Sequence, residues 1–390
     1  MPEVPSSVGP DDGDAEARGI GRVRSGDRHP MPARKMGVEE ELMLVDPATG
    51  RLAAVAGTAV LDDNHDAEVE HELFRQQIET STPPCEDVDD LVAGIRAGRR
   101  AVGEAAAAAG ARAVAMATPV LCQPAEDFTA KSRYRKIAAG YGELARQALV
   151  CATHVHVDVA DDEEGVRVID RIRPWLPLLL ALSANSPYWQ GRDTGHASWR
   201  SHVWGRWPTA GAAQPFGDLA TYRAVCEQMI GWGAALDAGM LYFDVRLSER
   251  YPTVEIRVAD VTTEVQDVSL VAVLARALVA TVADEEAMPT WRGDVLRAAG
   301  WRASRFGLAA DLVHPVEARL APAREVFEAT VRHVRAALEE TGDLAVVTES
   351  FERLVARGTG AVRQRSVFEA TGDLGAVVAD LARRTEESWA

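Results

Sequence analysis

The chain has 390 residues, 47% of them hydrophobic, and a formal net charge of −17 from 42 Lys and Arg set against 59 Asp and Glu. That content is ample for a large core, and the acidic balance argues against non-specific affinity for nucleic acid or an anionic membrane, so an anionic ligand has to be held by local arginines or by metal ions. Cys85, Cys122, Cys151 and Cys226 show neither C-x-x-C spacing nor the framework of a small secreted domain, which speaks against a disulfide scaffold or zinc ribbon and makes a reducing cytoplasm the simplest compartment.

Residues 1–35, rich in Pro, Gly, Asp and Arg without an apolar stretch, read as a disordered N-terminal tail rather than a signal peptide. Order is expected from Met36, with a strand over Val38–Val45, a turn at Asp46-Pro47-Ala48-Thr49-Gly50 and a return at Arg51-Leu52. A second extended piece is predicted from Glu68 to Thr80, stopped by Pro83-Pro84, which places Glu79 at its end. Glu86-Asp87 then open a helix whose apolar stripe is Leu91, Val92, Ile95 and Val102 and whose end is Gly110. The pattern continues with a strand over 113–118, a helix over 131–150, a strand over 151–159 and a helix over 163–184 that Pro174 and Pro177 kink or break. The longest apolar run is expected to be Trp175 to Ala184, interrupted by Pro177, and it falls well short of the roughly 20 residues that span a bilayer.

The Trp, Gly and Arg-rich stretch 185–217 lacks periodicity and is long for a connection, which favours a functional loop. A helix over 218–236 precedes two strands, 241–247 and 253–259, joined as a hairpin by 248–252, and helices dominate from about 265 onward. The expectation is one α+β domain over 36–390 with a helical C-terminal portion.

Side chains at i and i+2 of a strand share a face. Glu39 with Glu41, His154 with His156, and Glu255 with Arg257 therefore each point into one space, and Glu40 points away. Two carboxylates on one face of an otherwise apolar strand repel and resist burial; a divalent cation resolves the conflict, a solvated face being the alternative. Magnesium needs only a few carboxylates from neighbouring strands. Glu79 is another acid at a strand end, with Gln77 on its face. His154 and His156 can be ligands, bases or core histidines, and Asp158 extends their face into a possible zinc or manganese site. Glu255 with Arg257 can be a self-contained ion pair, but Asp244 and Arg246 repeat the acid-x-Arg pattern on the neighbouring strand, which is costly unless a ligand or metal completes the network. Arg200, Arg206 and their aromatic neighbours in the long loop suit a carboxylate or nucleotide. Neither a Walker A sequence nor a Rossmann fingerprint is present.

In order along the chain, Gly37-Val38-Glu39-Glu40-Glu41-Leu42, Gln76-Gln77-Ile78-Glu79-Thr80, His154-Val155-His156-Val157, Ala184-Asn185-Ser186-Pro187 and Thr253-Val254-Glu255-Ile256-Arg257-Val258-Ala259-Asp260-Val261 resemble the carboxylate-amine ligase family of glutamate-cysteine ligase type 2, as does Arg357-Gly358-Thr359-Gly360-Ala361 with Gln364-Arg365. The resemblance implies a glutamine-synthetase-like fold, an antiparallel sheet forming a funnel-shaped active site with helices outside. It also implies ATP bound through Mg2+, with Mn2+ possible, small-molecule carboxylate and amine substrates, and metal ligands at Glu39, Glu41, Glu79, His156, less surely His154, and Glu255. Arg257 and Arg200 are expected to clamp substrate or neutralise charge. Asp158 departs from the small residue that similar proteins often carry there. A phosphotransferase to a guanidino or amine group, or a nucleotide or metal-binding protein with weakened catalysis, are the alternatives, and the helical C-terminal portion allows a homodimer.

Overall fold

The structure, a computed structural model, describes residues 33–59, 68–121, 127–288 and 290–389. Most of the tail expected over 1–35, and Cys122, lie outside these residues.

Strand β1 (Met36–Val45) starts where the alternating apolar pattern begins, and Asp46 turns the chain back so that its N–H donates to Arg51 O at 2.8 Å. After a single helical turn, α1 (Ala56–Ala59), the expected second strand is two strands, β2 (Glu68–His71) and β3 (Gln77–Ser81), folded on each other as an antiparallel pair. The turn between them is held from outside, by the Phe74 ring stacked 5.0 Å from Phe128 and by Arg75 N–H donating to Asp127 O. Helix α2 (Val88–Ala108) begins as expected, capped by the Asp87 carboxylate on Asp89 N–H. Then come β4 (Arg112–Val114) and two helices, α3 (Ser132–Tyr141) and α4 (Glu143–Arg146), in place of one long helix, because Gly142 between them sits at φ +56°.

Strand β5 (Ala152–Asp158) leads into α5 (Asp162–Ile172), and the prolines break the next helix as the sequence implies: a 3₁₀ turn over Arg173–Trp175 separates α5 from α6 (Leu176–Ser183), with Pro177 in its first turn. The long loop carries a two-residue hairpin, β6 (Tyr188–Trp189) with β7 (Arg192–Asp193), and one short helix, α7 (Arg200–Trp204). Helix α8 (Leu219–Gly231) precedes β8 (Val245–Leu247) and β9 (Thr253–Asp260). The remainder is α9 (Val265–Ala283), α10 (Gly293–Phe306), a small β10 (Leu312–Val313) and β11 (Leu320–Ala321) pair, and α11 (Ala323–His333), α12 (Arg335–Thr341), α13 (Leu344–Arg357), α14 (Gly360–Thr371) and α15 (Leu374–Glu387).

The main sheet is antiparallel, in the order β2-β3-β1-β5-β9-β8, with β4 also paired to β1. It curls: Arg250, just past β8, lies 3.7 Å from Glu70 of β2, so side chains of the two edge regions meet across the opening. One face is lined by Glu39, Glu41, Glu79, His154, His156 and Glu255. The other is covered by helices. There Arg99 of α2 grips Glu40 with two hydrogen bonds of 2.8 and 2.7 Å and donates to the carbonyls of Thr262 and Thr263 and to Ser388 Oγ. Helix α2 lies close enough to β3 that a Cβ on Gly98 would sit 2.5 Å from Thr80 Oγ1. Helix α9 is apolar over a length that would cross a membrane, yet it is enclosed in the core; an apolar surface all round is what a central helix needs. This is a longer apolar run than Trp175–Ala184. The architecture is α+β, a curled antiparallel sheet with helices packed outside.

Candidate functional site

Register puts the acids in one row. Glu39 lies opposite His154 across β1 and β5, Glu41 opposite Glu79 across β1 and β3, and Glu255 between His156 and Arg246 across β5, β9 and β8. His154 Nδ1 is 3.3 Å from Glu39 Oε2 and 3.8 Å from Glu255 Oε1, and His156 Nε2 is 3.2 Å from Glu39 Oε1 while its Nδ1 meets Thr253 Oγ1 at 3.0 Å. Glu41 accepts the Ala152 N–H at 2.7 Å. Sequence reasoning missed Glu72, which follows β2 and turns back toward Glu79 and Glu41.

Three groups of ligand atoms form within this row: Glu39, Glu79 and His154; Glu39, His156 and Glu255; and Glu41, Glu72 and Glu79, the atoms of each lying within 4.8 Å of one another. Glu39 and Glu79 each belong to two groups, so the sites they could serve adjoin. The environment fits a cation. Burial, with Glu72 beside it, pushes the Glu41 carboxyl up to about 8, and burial together with Glu72, Glu39 and Glu41 holds Glu79 well above the carboxylate range. Burial would also raise Glu39, but hydrogen bonds from His154 and His156 outweigh it and hold that carboxylate below its usual value. His154 is pushed well down by burial and by Arg257, so its imidazole is neutral, and its Nε2 is buried with no hydrogen-bond partner. A neutral imidazole with an open nitrogen beside crowded carboxylates is a donor set for a divalent ion.

Glu255 differs from the other acids. Its Oε2 accepts Arg246 Nε at 2.7 Å and its Oε1 is paired with Arg257, so the ion-pair alternative weighed in the sequence is present in the structure. Each oxygen keeps a second lone pair for another partner. The Asp244–Arg246 repeat resolves differently from expectation: Arg246 joins the Glu255 pair, while Asp244 contributes its carbonyl to the Arg257 N–H. Asp158 lies on the histidine face but joins none of the metal groups among the described residues; one carboxylate oxygen is buried without a partner. A further acid group, His314 with Glu317 and Glu325, is answered by Arg319, which pairs with both carboxylates.

One cavity opens on the row, and a second opens on Arg257, the partner of Glu255. The first, of about 920 Å3, has Glu39, His156 and Thr253 on its wall, with Asp158, Lys35 and Tyr251 further out. The other, about 600 Å3, is bordered by Arg200, Arg257, His202 and Trp204. Arg200 and Arg257 are buried, their Nε atoms are without hydrogen-bond partners, and Arg200 Nη2 donates to Arg257 O at 3.1 Å. Arg257 also faces the rings of Trp204 and Tyr242, at 5.9 and 5.7 Å.

The fold is shared with solved ligases. The glutamate-cysteine ligase of Francisella tularensis in complex with AMP superposes with a TM-score of 0.67 at 12% identity, covering 92% of this chain and 90% of that one. A bifunctional glutathione synthetase from Pasteurella multocida gives 0.63 at 15% identity, over 91% of this chain and 52% of that one. Among curated proteins, one from Nocardioides sp. that carries the provisional name glutamate-cysteine ligase 2-1 is 47% identical over 91% of this chain and 97% of its own length, and one from Streptomyces coelicolor, provisionally named glutamate-cysteine ligase 2, is 46% identical over 90% and 99%. The class that these relatives share is that of the carboxylate-amine ligases. The model of glutamate-cysteine ligase family 2 matches residues 35–380, and the chain belongs to that family.

Proposed function

We propose that the chain joins the carboxylate of one amino acid to the amine of another small molecule through an acyl phosphate, with glutamate and cysteine, the substrates in its relatives' names, the first pair to test. The observation that carries this reading is the row of adjoining groups that could hold metal, with a cavity opening on Glu39 and His156 and a second on Arg257, the partner of Glu255. Glu39, Glu41, Glu72, Glu79, His154, His156 and Glu255 would hold magnesium, which when bound neutralises charge on the nucleotide phosphates.

A carboxylate oxygen attacks the γ-phosphorus, the bond from that phosphorus to the β-bridging oxygen breaks, and ADP leaves. The amine nitrogen then bonds to the acyl carbon, the carbon–oxygen bond to the phosphate breaks, and inorganic phosphate departs as the nitrogen gives up a proton. Arg200 and Arg257 supply guanidinium groups for the substrate carboxylate and the charge that develops on it. Their burial makes that charge effective, because few waters compete for it. Such chemistry needs positioning and electrostatics more than covalent help from the protein.

The three described cysteines are free thiols, in keeping with a cytoplasmic enzyme, and residues 36–390 would act as one catalytic domain. The test is a screen of amino acids and amines for ADP release, read by product mass. The reading expects free phosphate and an amide whose formation requires both substrates; a stable phosphorylated guanidino or amine product would replace it with a phosphotransferase.

A further inference from the structure

Three segments that carry the family resemblance contribute nothing to the acid row: Ala184-Asn185-Ser186-Pro187, Asp260-Val261, and the stretch from Arg357 to Gln364. In the fold they meet at one buried point. Asp260, the last residue of β9, is fully buried, and its carboxylate accepts Asn185 N–H at 2.9 Å and Ser186 Oγ at 2.7 Å on one oxygen and Ser198 Oγ at 2.8 Å on the other. Ser186 Oγ accepts the Arg200 backbone N–H at 3.0 Å. The Asn185 amide donates to Val261 O at 2.7 Å, and Gln364 of α14 donates to both Asn185 O and Asn185 Oδ1 at 2.8 Å. The start of α14 approaches so closely that a Cβ on Gly360 would lie 1.9 Å from Asn185 Oδ1.

This arrangement closes a loop. Ser186 and Ser198 stand at the two ends of a segment whose middle is the small β6–β7 hairpin, and one carboxylate ties both ends together. Arg200 follows directly. Its backbone hangs on Ser186, and its guanidinium rests on the Arg257 carbonyl of the same strand that ends in Asp260. An arginine carried by a short helix in a long loop has many rotamers to lose, and such a clamp removes that freedom before substrate arrives.

We propose that Asp260 is a positioning residue for the ligase reaction: through Ser186 and Ser198 it fixes the loop that presents Arg200 beside Arg257 at the substrate cavity. The proposal rests on the reading of Arg200 as a substrate-facing group. Asn185, Gln364 and Gly360 brace the clamp from behind, which gives those otherwise silent motifs a common purpose.

The test is a double-mutant cycle on the full-length protein, measuring kcat/KM for amine-dependent ADP release. Ser186→Ala removes the hydrogen-bonded link that runs from Asp260 through the Ser186 hydroxyl to the Arg200 N–H. The buried carboxylate keeps its donors Asn185 N–H and Ser198 Oγ, so the variant stays usable where Asp260→Asn fails to fold. Ser186→Ala is expected to lower kcat/KM by about 10- to 100-fold, the scale of a small misplacement of a reacting or binding group. In an Arg200→Lys background the same change is expected to cost less than about twofold, because the fork it positions is already gone. Equal factors in both backgrounds would show a structural role unconnected to Arg200 and overturn the proposal. An Arg200→Lys enzyme with wild-type kcat/KM would instead refute the substrate-facing reading itself, and the positioning role would fall with it.

Discussion

Consecutive residues of one strand meet opposite fates. On the back of β1, Glu40 is buried against Arg99, whose remaining N–H groups find two carbonyls and a serine hydroxyl, so the charges and donors are matched. On the front, Glu41, with Glu72 and Glu79 close by, makes no ion pair among the described residues, and the nearby Arg246 and Arg257 are both engaged by Glu255. A matched buried pair holds elements together and does little else. A crowd of carboxylates short of cations is costly to the apoprotein, and that cost is what a divalent ion relieves on binding. The same residue type, one position apart, is matched by an arginine on one side and left without one on the other, where we propose that it serves a metal ion.

The two faces respond differently to mutation. The largest effect belongs to the front: Glu39→Gln, at the acid shared by two metal groups, should reduce ligase turnover on the order of 10³-fold while leaving the fold intact, read by kcat beside the circular dichroism spectrum. Retained turnover would remove Glu39 from the site. On the back, Arg99→Met leaves Glu40 buried without its partner and should cost about 3–5 kcal/mol in urea unfolding, with much of the loss restored when Glu40→Gln is added. Its kcat per folded molecule should stay near wild type; a collapse of kcat without loss of stability would mean that the two faces are not separate in function. The smallest effect is expected at the rim, where Arg250 and Glu70 are both well exposed and 3.7 Å apart. Arg250→Ala should shift Tm by no more than about 1 °C, and a larger shift would make that contact part of the closure of the funnel.

Much of the front face was legible because strand periodicity is local. Side chains two residues apart share a face whatever the tertiary structure, so Glu39 with Glu41, His154 with His156, and Glu255 with Arg257 could be paired from the sequence. Glu72 could not, although Glu68, Glu70 and Glu72 repeat the alternating acid pattern of β1. The turn after it, Leu73-Phe74-Arg75-Gln76, contains none of the usual turn residues, and its reversal is imposed by Phe128 and Asp127 from another part of the chain. Asp260 was hidden for a related reason. It stands in a segment whose neighbours looked catalytic, but its partners are 62 to 75 residues away, and no spacing rule reaches that far.

The most direct test of the unmatched front face is thermal unfolding of the wild type and Glu79→Gln, each with and without magnesium and a non-hydrolysable ATP analogue. Burial and the neighbouring acids push the Glu79 carboxyl toward its protonated form. Replacing it by a neutral amide removes the cost of that acid and should raise Tm of the ligand-free protein by about 1 °C, the shift expected for about 1 kcal/mol in a chain of this length. Magnesium with the nucleotide should stabilise the wild type markedly and Glu79→Gln little, so that the order of the two Tm values reverses. A ligand-free variant less stable than the wild type, together with an equal gain from magnesium in both, would contradict the account.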